Sequence, residues 1–246
     1  MKKKELFEKN LVLTINFVII FSIQFSFSQN KGYEKIKVFW EQLENGNYNV
    51  YATNSYYCPS TIKVNFIILK NMNVTVDIPY QGTINSLTEK QILFSIIPEP
   101  NKESKFSYEC EYFRGDPENT NHDDNYKYIL PYEHNKSFKV YQGYGGKFSH
   151  NSKNRKYAVD FTMPLGTKIC ASRSGIVVHV KENSNKGGPD KKKYFQRANE
   201  ITIYQDDGTF ANYVHLKKNG SLVSEGDTTN AGDVIGLSGN TGWTSG

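Results

Sequence analysis

Hydrophobic positions along the first half of the chain alternate with polar ones in short runs, without helical spacing. The runs lie at 61–69, 73–80, 91–97, 105–113 and 126–132. Clusters of Gly, Pro, Asn and Asp separate them, and period-two alternation between such clusters predicts antiparallel strands. We therefore expect an N-terminal antiparallel β-sandwich-like region, with one short helix around 35–43 before its first turn.

The second half, from about Lys139, continues the same pattern. Its predicted strands lie at 157–161, 167–171, 175–182, 200–205, 209–215 and 233–237. The triplet Asp206-Asp207-Gly208 between two of these runs indicates a hairpin turn. The absence of an amphipathic helix of useful length indicates that this half is also all-β, with sheets folded into a partial barrel or sandwich.

The first 28 residues have the layout of a secretory signal peptide. Four lysines open the chain, an apolar run follows from Leu11 to Phe27, and small residues near Ser28 offer a cleavage position. An uncleaved anchor helix is the alternative. No later run approaches the roughly 20 apolar residues that cross a bilayer, so we expect no stable membrane span after cleavage. The predicted location is secreted, periplasmic or in the cell envelope.

This organisation predicts three segments: a signal peptide at 1–28, a β-rich domain at 29–138 and a second domain at 139–246. Composition agrees with folded domains, because 37% of the 246 residues are hydrophobic and 22% are charged. The formal charge of +5 is too small and too scattered to indicate nucleic-acid binding. The oligomeric state is left open.

The three cysteines argue against a cysteine-rich zinc site, because no CxxC pair occurs. Cys58 and Cys110 could form a disulfide in an oxidising compartment, but two free thiols fit the sequence equally well. Cys170 lies between strand residues and is expected to be a small buried apolar group.

Three residues of the second half could form a hydrolytic metal site: His150, Asp160 and His215. Such a site needs about three protein ligands and an open position for water. Asp160 lies on the apolar strand KYAVDFTMP, where an unpaired carboxylate is costly to bury. His215 lies in FANYVHLKKNG, where strand alternation places it on the same face as Tyr213. His150 ends the phrase GGKFSH before a polar loop.

Each of these residues, taken alone, also fits a structural role. Asp160 could cap the turn that follows it, His215 could be a satisfied strand residue, and His150 could be exposed. His179, in GIVVHVKE, is expected to be a half-exposed strand residue. The two remaining histidines, His122 and His134, lie in polar loops and are expected to be solvated.

An ordered set of sequence motifs favours the metal site over these structural roles. The set includes an Asp in a short apolar strand, P-x-G-T, G-x-V, Tyr-x-His-Leu, V-x-x-G-D-x-x-x-x-G-x-x-I-G and S-G-N-T-G. In this combination and order they resemble the lysostaphin-type, or LytM-like, zinc metallopeptidases. The resemblance covers about residues 140–246. It implies a LytM-like β-sheet peptidase domain that hydrolyses peptide bonds, most often in peptidoglycan cross-links.

The resemblance also implies roles for the candidate residues. The family holds one Zn²⁺ with His, Asp and His, so Asp160 corresponds to the carboxylate ligand. His215 corresponds to the catalytic His that orients water or stabilises the oxyanion. The usual first ligand lies four residues before the Asp, where this chain has Lys156. His150, ten residues before Asp160, is assigned as that ligand because a longer loop can return to the same place. The expected partners are peptidoglycan peptides.

The sequence departs from the family pattern after S-G-N-T-G. The family's last motif there, His-x-His, supplies the third zinc ligand and a second catalytic His, but the sequence stops at Gly246. One explanation is a truncated form of a longer enzyme, inactive or impaired as it stands. The other is a non-catalytic module that binds cell wall or regulates a hydrolase. A lipoyl- or biotinyl-type carrier is disfavoured, because no Met accompanies the hairpin VSEGDTTNAGDVIG.

Overall fold

The computed structural model describes residues 35–153 and 155–244. Within those ranges it contains eighteen β-strands and one four-residue α-helix, which confirms the predicted all-β class. The predicted signal peptide lies outside the described residues. None of the helices in the described ranges has the length and apolar character needed to span a membrane.

The first half forms two antiparallel sheets, as the alternating runs predicted. The strands are β1 (Ile36–Gln42), β2 (Tyr48–Asn54), β3 (Ser60–Lys70), β4 (Met72–Val74), β5 (Tyr80–Ile84), β6 (Thr88–Pro98) and β7 (Lys105–Arg114). One sheet has the order β1-β2-β6-β4 and the other β5-β3-β7. Their inward side chains bury a common first-half core that includes Val50, Ile62, Val64, Ile84 and Ile96.

Two local predictions in this half are wrong. The segment 35–43 is not a helix but contains β1, because pairing with β2 suits its β-branched and aromatic residues. The run 126–132 is not a strand, and only Tyr132 makes a bridge, to Ile169. The ring of Tyr126 instead lies against the Arg173 guanidinium at 3.9 Å. The aromatic side chain of Tyr126 therefore stacks on a cation and does not form part of a sheet face.

The second half contains eleven further strands in the described ranges. They are β8 (Lys139–Gln142), β9 (Asp160–Thr162), β10 (Lys168–Cys170), β11 (Gly175–Lys181), β12 (Gly187–Gly188), β13 (Glu200–Tyr204), β14 (Phe210–Val214), β15 (Leu216–Ser221), β16 (Thr228–Thr229), β17 (Val234–Ser238) and β18 (Gly242–Trp243). The helix α1 spans Lys191–Tyr194. The main sheet has the order β14-β13-β11-β16, and a smaller one has β10-β17-β15. The Asp206-Asp207-Gly208 turn joins β13 and β14 as predicted.

Strand β11 separates two cores. Val178 is fully buried in the first-half core, whereas its neighbour Val177 is fully buried in a second-half core with Ile201, Ile203 and Ile235. Because adjacent strand residues face opposite sides, a strand covered on both faces shows consecutive buried positions. The main second-half sheet is therefore covered by the first-half core on one side.

All three cysteines are free, so the possible Cys58–Cys110 disulfide is not formed in this structure. Cys58 and Cys170 are buried, as expected for small apolar side chains. Burial raises the pKa of the Cys58 thiol to about 11, which makes that thiol an unreactive packing group.

Candidate metal centre

The structure brings His150 and Asp160 together. The imidazole Nε2 of His150 lies 3.2 Å from Oδ1 of Asp160. Asp160 begins β9, which pairs with β8 so that Gln142 lies opposite it. The loop after β8 returns to this position, and His150 at its end is only 3% exposed. The alternative that His150 is a surface residue is therefore wrong.

The other ring nitrogen of His150 identifies the tautomer. Nδ1 lies 2.9 Å from the Gly143 carbonyl oxygen, which can only accept a hydrogen bond, so Nδ1 carries a proton. Nε2 then faces the Asp160 carboxylate, which is also an acceptor. A cation between Nε2 and Oδ1 would satisfy both groups, and a backbone carbonyl on the second nitrogen is the usual environment of a metal-binding His.

Gln142 holds this pair in place through its side-chain amide. Its Nε2 donates to Asp160 Oδ2 at 3.1 Å and to Ser149 Oγ at 2.7 Å. Its Oε1 accepts from the backbone N–H groups of Phe148 and Ser149. The amide therefore fastens the loop that carries His150 to the carboxylate of Asp160. Sequence analysis missed Gln142, because its place opposite Asp160 depends on the pairing of β8 with β9, and no strand was predicted at β8.

The pair fits two ligands of a zinc ion. With Zn–N and Zn–O bonds of about 2.0–2.2 Å in tetrahedral geometry, the two ligand atoms should lie about 3.3–3.5 Å apart. The observed 3.2 Å between Nε2 and Oδ1 is close to that separation. Among residues 35–153 and 155–244, no three His, Cys, Asp or Glu side chains gather into a group that could hold a metal.

His215 lies between two strands rather than within one. β14 ends at Val214 and β15 begins at Leu216, and His215 has a left-handed backbone with φ of 66°. The predicted shared strand face of Tyr213 and His215 is therefore wrong, because Tyr213 and Leu216 are the buried neighbours. A non-glycine residue in this region is held there by its surroundings, which is common at functional sites.

His215 lies against the S-G-N-T-G motif at 238–242. Nδ1 of His215 donates to the Thr241 carbonyl at 2.7 Å, so its Nε2 carries the lone pair of the neutral ring. The Thr241 hydroxyl accepts from the Asn199 N–H at 2.9 Å and donates to the Leu216 carbonyl at 2.7 Å. These bonds fix the chain on both sides of the imidazole. Gly242 follows with φ of 86°, where a Cβ would lie 2.6 Å from the Ala198 Cβ.

One aromatic contact links the two parts of the site. Phe148, two residues before His150, lies 5.5 Å from Trp243, two residues after Thr241, between ring centroids. The loop of His150 and the segment that holds His215 are therefore side by side. Asp160 contacts His150 directly, whereas the hydrogen bond of His215 goes to Thr241.

The remaining histidines lie elsewhere. His179 is half-buried, as predicted, with Glu200 at 3.4 Å and Glu225 at 3.5 Å from its ring nitrogens. His134 is exposed, as predicted. His122 is also partly exposed, but its Nδ1 lies 3.3 Å from Asp207. These positions leave His150 and His215 as the histidines of the candidate centre.

Comparison with known proteins finds a matching family and similar proteins for the second half of the chain. Residues 154–246 match Peptidase family M23. Asp160 and His215 lie within that range, and His150 lies four residues before it. Among the similar curated proteins, an uncharacterized metalloprotease of Buchnera aphidicola is 38% identical over 88 residues, which cover 36% of this chain and 20% of that protein.

One of two further relatives has a name that states a substrate. Lysostaphin of Staphylococcus simulans is 33% identical over 108 residues, which cover 44% of this chain and 20% of lysostaphin. The peptidoglycan DD-endopeptidase ShyA of Vibrio cholerae is 35% identical over 83 residues, which cover 34% of this chain and 16% of ShyA. The chain thus spans about a fifth or less of the length of these relatives.

A crystal structure described as a peptidase M23 candidate from Pseudomonas aeruginosa is 16% identical. It superposes with a TM-score of 0.34 and covers 78% of this chain and 80% of that one. The family match and the curated relatives confirm the lysostaphin-type resemblance of the motifs. Residues 154–246 of this chain are therefore similar in sequence to Peptidase family M23.

Proposed function

We propose that this chain is a secreted or envelope-located zinc endopeptidase that hydrolyses peptide bonds of peptidoglycan. The observation that carries the proposal is the buried His150 imidazole facing the Asp160 carboxylate at 3.2 Å, with its other nitrogen on a backbone carbonyl. The match of residues 154–246 to a peptidase family supports the reaction class. The name of ShyA, a peptidoglycan DD-endopeptidase, supports the substrate class.

In this proposal His150 and Asp160 hold the zinc ion. When bound, zinc would polarise the scissile carbonyl and lower the pKa of a water molecule. Gln142 keeps Asp160 in position by donating to Oδ2, which leaves Oδ1 for the metal. The His150 imidazole is buried, whereas the Asp160 side chain is 40% exposed, so the centre is open to water on the carboxylate side.

His215 acts as the catalytic base or hydrogen-bond donor to the reacting atoms. Its Nδ1 donates a hydrogen bond to the Thr241 carbonyl, so proton exchange takes place at Nε2. A neutral His placed in this way can accept a proton from water and return it to the leaving amine. The strained backbone of His215 holds the ring for this task and lowers its orientational freedom.

The proposal is tested with the full chain, purified peptidoglycan and separate assays of zinc binding and peptide release. Asp160→Asn should lose both zinc binding and cleavage. His215→Ala should retain zinc but lose cleavage by about 10²–10⁴-fold, the usual range for an acid–base group. His134→Ala, at an exposed histidine, is the control and should behave as the unmodified chain. Equal cleavage by all four proteins would contradict the proposal.

The alternative is a non-catalytic module that binds peptidoglycan or regulates another hydrolase. The observation that favours it is Lys156, which occupies the usual first-ligand position and extends its ammonium over the Tyr157 ring at 4.5 Å. This alternative predicts sedimentation with insoluble peptidoglycan that is unchanged by a zinc chelator, with no peptide release. Chelator-sensitive release would exclude it.

A further inference from the structure

An exposed aromatic patch lies beside the candidate metal centre. It consists of Phe148, Phe195 and Trp243, and we call it the aromatic patch. The ring of Trp243 lies 5.5 Å from that of Phe148 and 6.5 Å from that of Phe195. Phe148 is 63% and Phe195 is 51% exposed, so much of this apolar surface faces water. Clustered exposed aromatics are unusual on a surface without a binding role.

The patch is built from three separate segments, and Trp243 is its anchored member. Trp243 lies in β18, which pairs in parallel with β12, and its indole Nε1 donates to the Pro189 carbonyl at 3.0 Å. Phe195 follows α1, whose N-cap Asp190 accepts from the Lys193 N–H. The hydrogen bond to Pro189 orients the Trp243 indole before any ligand arrives, so binding on that ring costs less side-chain entropy.

Two cations lie over these rings. The Lys191 ammonium is 4.9 Å from the Trp243 centroid, and the Arg155 guanidinium is 5.6 Å from the Phe195 centroid. In the described part of the chain, neither cation forms an ion pair with a carboxylate. Lys192 and Lys193, next along α1, are exposed as well. A ring face attracts a cation but does not neutralise its charge. The patch is therefore apolar and positively charged.

The position of the patch relates it to the reaction. Phe148 belongs to the loop that ends at His150, and Trp243 follows the Thr241 carbonyl that holds His215. A substrate extending from the metal centre in this direction would lie on the rings with the cations along its edge.

We propose that the aromatic patch, with Lys191 and Arg155, is a subsite for a peptide arm that carries free carboxylates. This inference rests on the proposed function, and it selects an acidic peptide over an uncharged one. Charge complementarity decides the class of ligand, because uncompensated cations attract carboxylates. The exposed ring faces would pack against the peptide's apolar atoms.

The test measures binding separately from cleavage. Peptides released from purified peptidoglycan are used with free carboxylates and after amidation, and a zinc chelator is present throughout. Amidation should weaken binding about tenfold, and raising the salt concentration should weaken it further. Trp243→Ala should weaken binding of the free-carboxylate peptide about tenfold, and Lys191→Gln about threefold to fivefold. Lys191→Gln should leave binding of the amidated peptide unchanged.

Controls lie outside the patch, at the exposed residues Phe113 and Lys37. Phe113→Ala and Lys37→Gln should bind as the unmodified chain. Equal binding of the two peptide forms, or equal losses in the controls, would overturn the inference. Failure of the inference is distinguishable from failure of the proposed function. If the unmodified chain binds the acidic peptide but does not cleave peptidoglycan, the subsite stands and the proposed function fails. If Trp243→Ala and Lys191→Gln cleave as well as the unmodified chain, the proposed function stands and the subsite fails.

Discussion

At the scale of single residues, the candidate centre depends on residues that hold its side chains in place by hydrogen bonds. Gln142 uses both ends of its amide to connect Asp160 with the loop of His150. Thr241 connects His215 with two strands through its carbonyl and its hydroxyl. Such supporting groups keep ligands and bases in geometry that they would not adopt alone.

We predict that Gln142→Ala weakens zinc binding by about 10–100-fold, the usual effect of removing an outer hydrogen bond from a ligand. Without the amide, Asp160 and the His150 loop lose their shared anchor, while both ligands remain. The measurement is competition with a chromophoric zinc chelator. Gln91→Ala is the matched control, because Gln91 donates to the Thr83 carbonyl in the first half. Unchanged zinc affinity in Gln142→Ala would show that the amide does not position the ligands.

A second residue-scale prediction concerns the Thr241 hydroxyl. Thr241→Val keeps the shape but removes the acceptor of the buried Asn199 N–H. It also removes one of two donors to the Leu216 carbonyl, which keeps the Asn199 side-chain amide. The expected loss in the free energy of unfolding is about 1–3 kcal/mol. Thr241→Ser keeps the oxygen and should lose less. Urea denaturation measures both, and equal losses for Val and Ser would contradict the role of the hydroxyl.

At the scale of elements, β11 is the strand on which both cores meet. Val177 and Val178 are consecutive and fully buried, one in each core. The register of β11 against β13 shifts between Val177 and His179, so an irregularity lies where the strand changes its packing. The strand therefore connects the packing of the first half to that of the main second-half sheet.

We predict that Val177→Ala and Val178→Ala each lower the free energy of unfolding by about 1–3 kcal/mol, because each leaves a cavity in a close-packed core. Since Val178 packs against residues of the first half, its loss should also weaken the segment proposed as a domain at 29–138. Hydrogen exchange of first-half amides should accelerate in Val178→Ala more than in Val177→Ala. Equal acceleration in both variants would mean that β11 does not couple the halves in this way.

At the scale of the whole molecule, ion pairs join distant parts of the chain. Lys35, before β1, pairs with Glu225, and Arg173 pairs with Asp207 of the hairpin turn. Burial alone would raise the pKa of Asp207, but hydrogen bonds from Thr209 and Arg173 outweigh it and lower that pKa to about 2. The pKa of Glu200 is lowered by the His179 imidazole beside it. These carboxylates are stabilised as anions in the folded state.

We predict a loss of stability in acid. A carboxyl whose pKa is lower in the folded state contributes stability above its unfolded pKa and loses it as the pH falls through the folded value. For Asp207 the window runs from the ordinary value of 3.8 down to about 2, and the contribution is about 2 kcal/mol. Chemical denaturation across this window should show a falling free energy of unfolding. Asp207→Asn should flatten the fall, and an unchanged slope would contradict the assignment.

Much of the fold could be read from local pattern. The alternating runs predicted several of the longer strands, among them β3, β6, β7 and β11, because burial of one sheet face imposes a period of two. The Asp206-Asp207-Gly208 turn predicted its hairpin, and an ordered set of phrases indicated the peptidase family. These features depend on residues that are close together in sequence, or on the order of motifs along the chain. They can therefore be found without knowledge of any tertiary contact.

Tertiary structure decided the rest. β1 is a strand because β2 pairs with it, and its β-branched and aromatic residues suit that pairing. His215 takes a left-handed backbone because Thr241 and the buried Leu216 hold the chain around it. Gln142 reaches Asp160, and Phe148 reaches Trp243, only after loops distant in sequence have returned to the same place. Alternation determines which residues are inward, whereas loop closure and packing determine which inward residues meet.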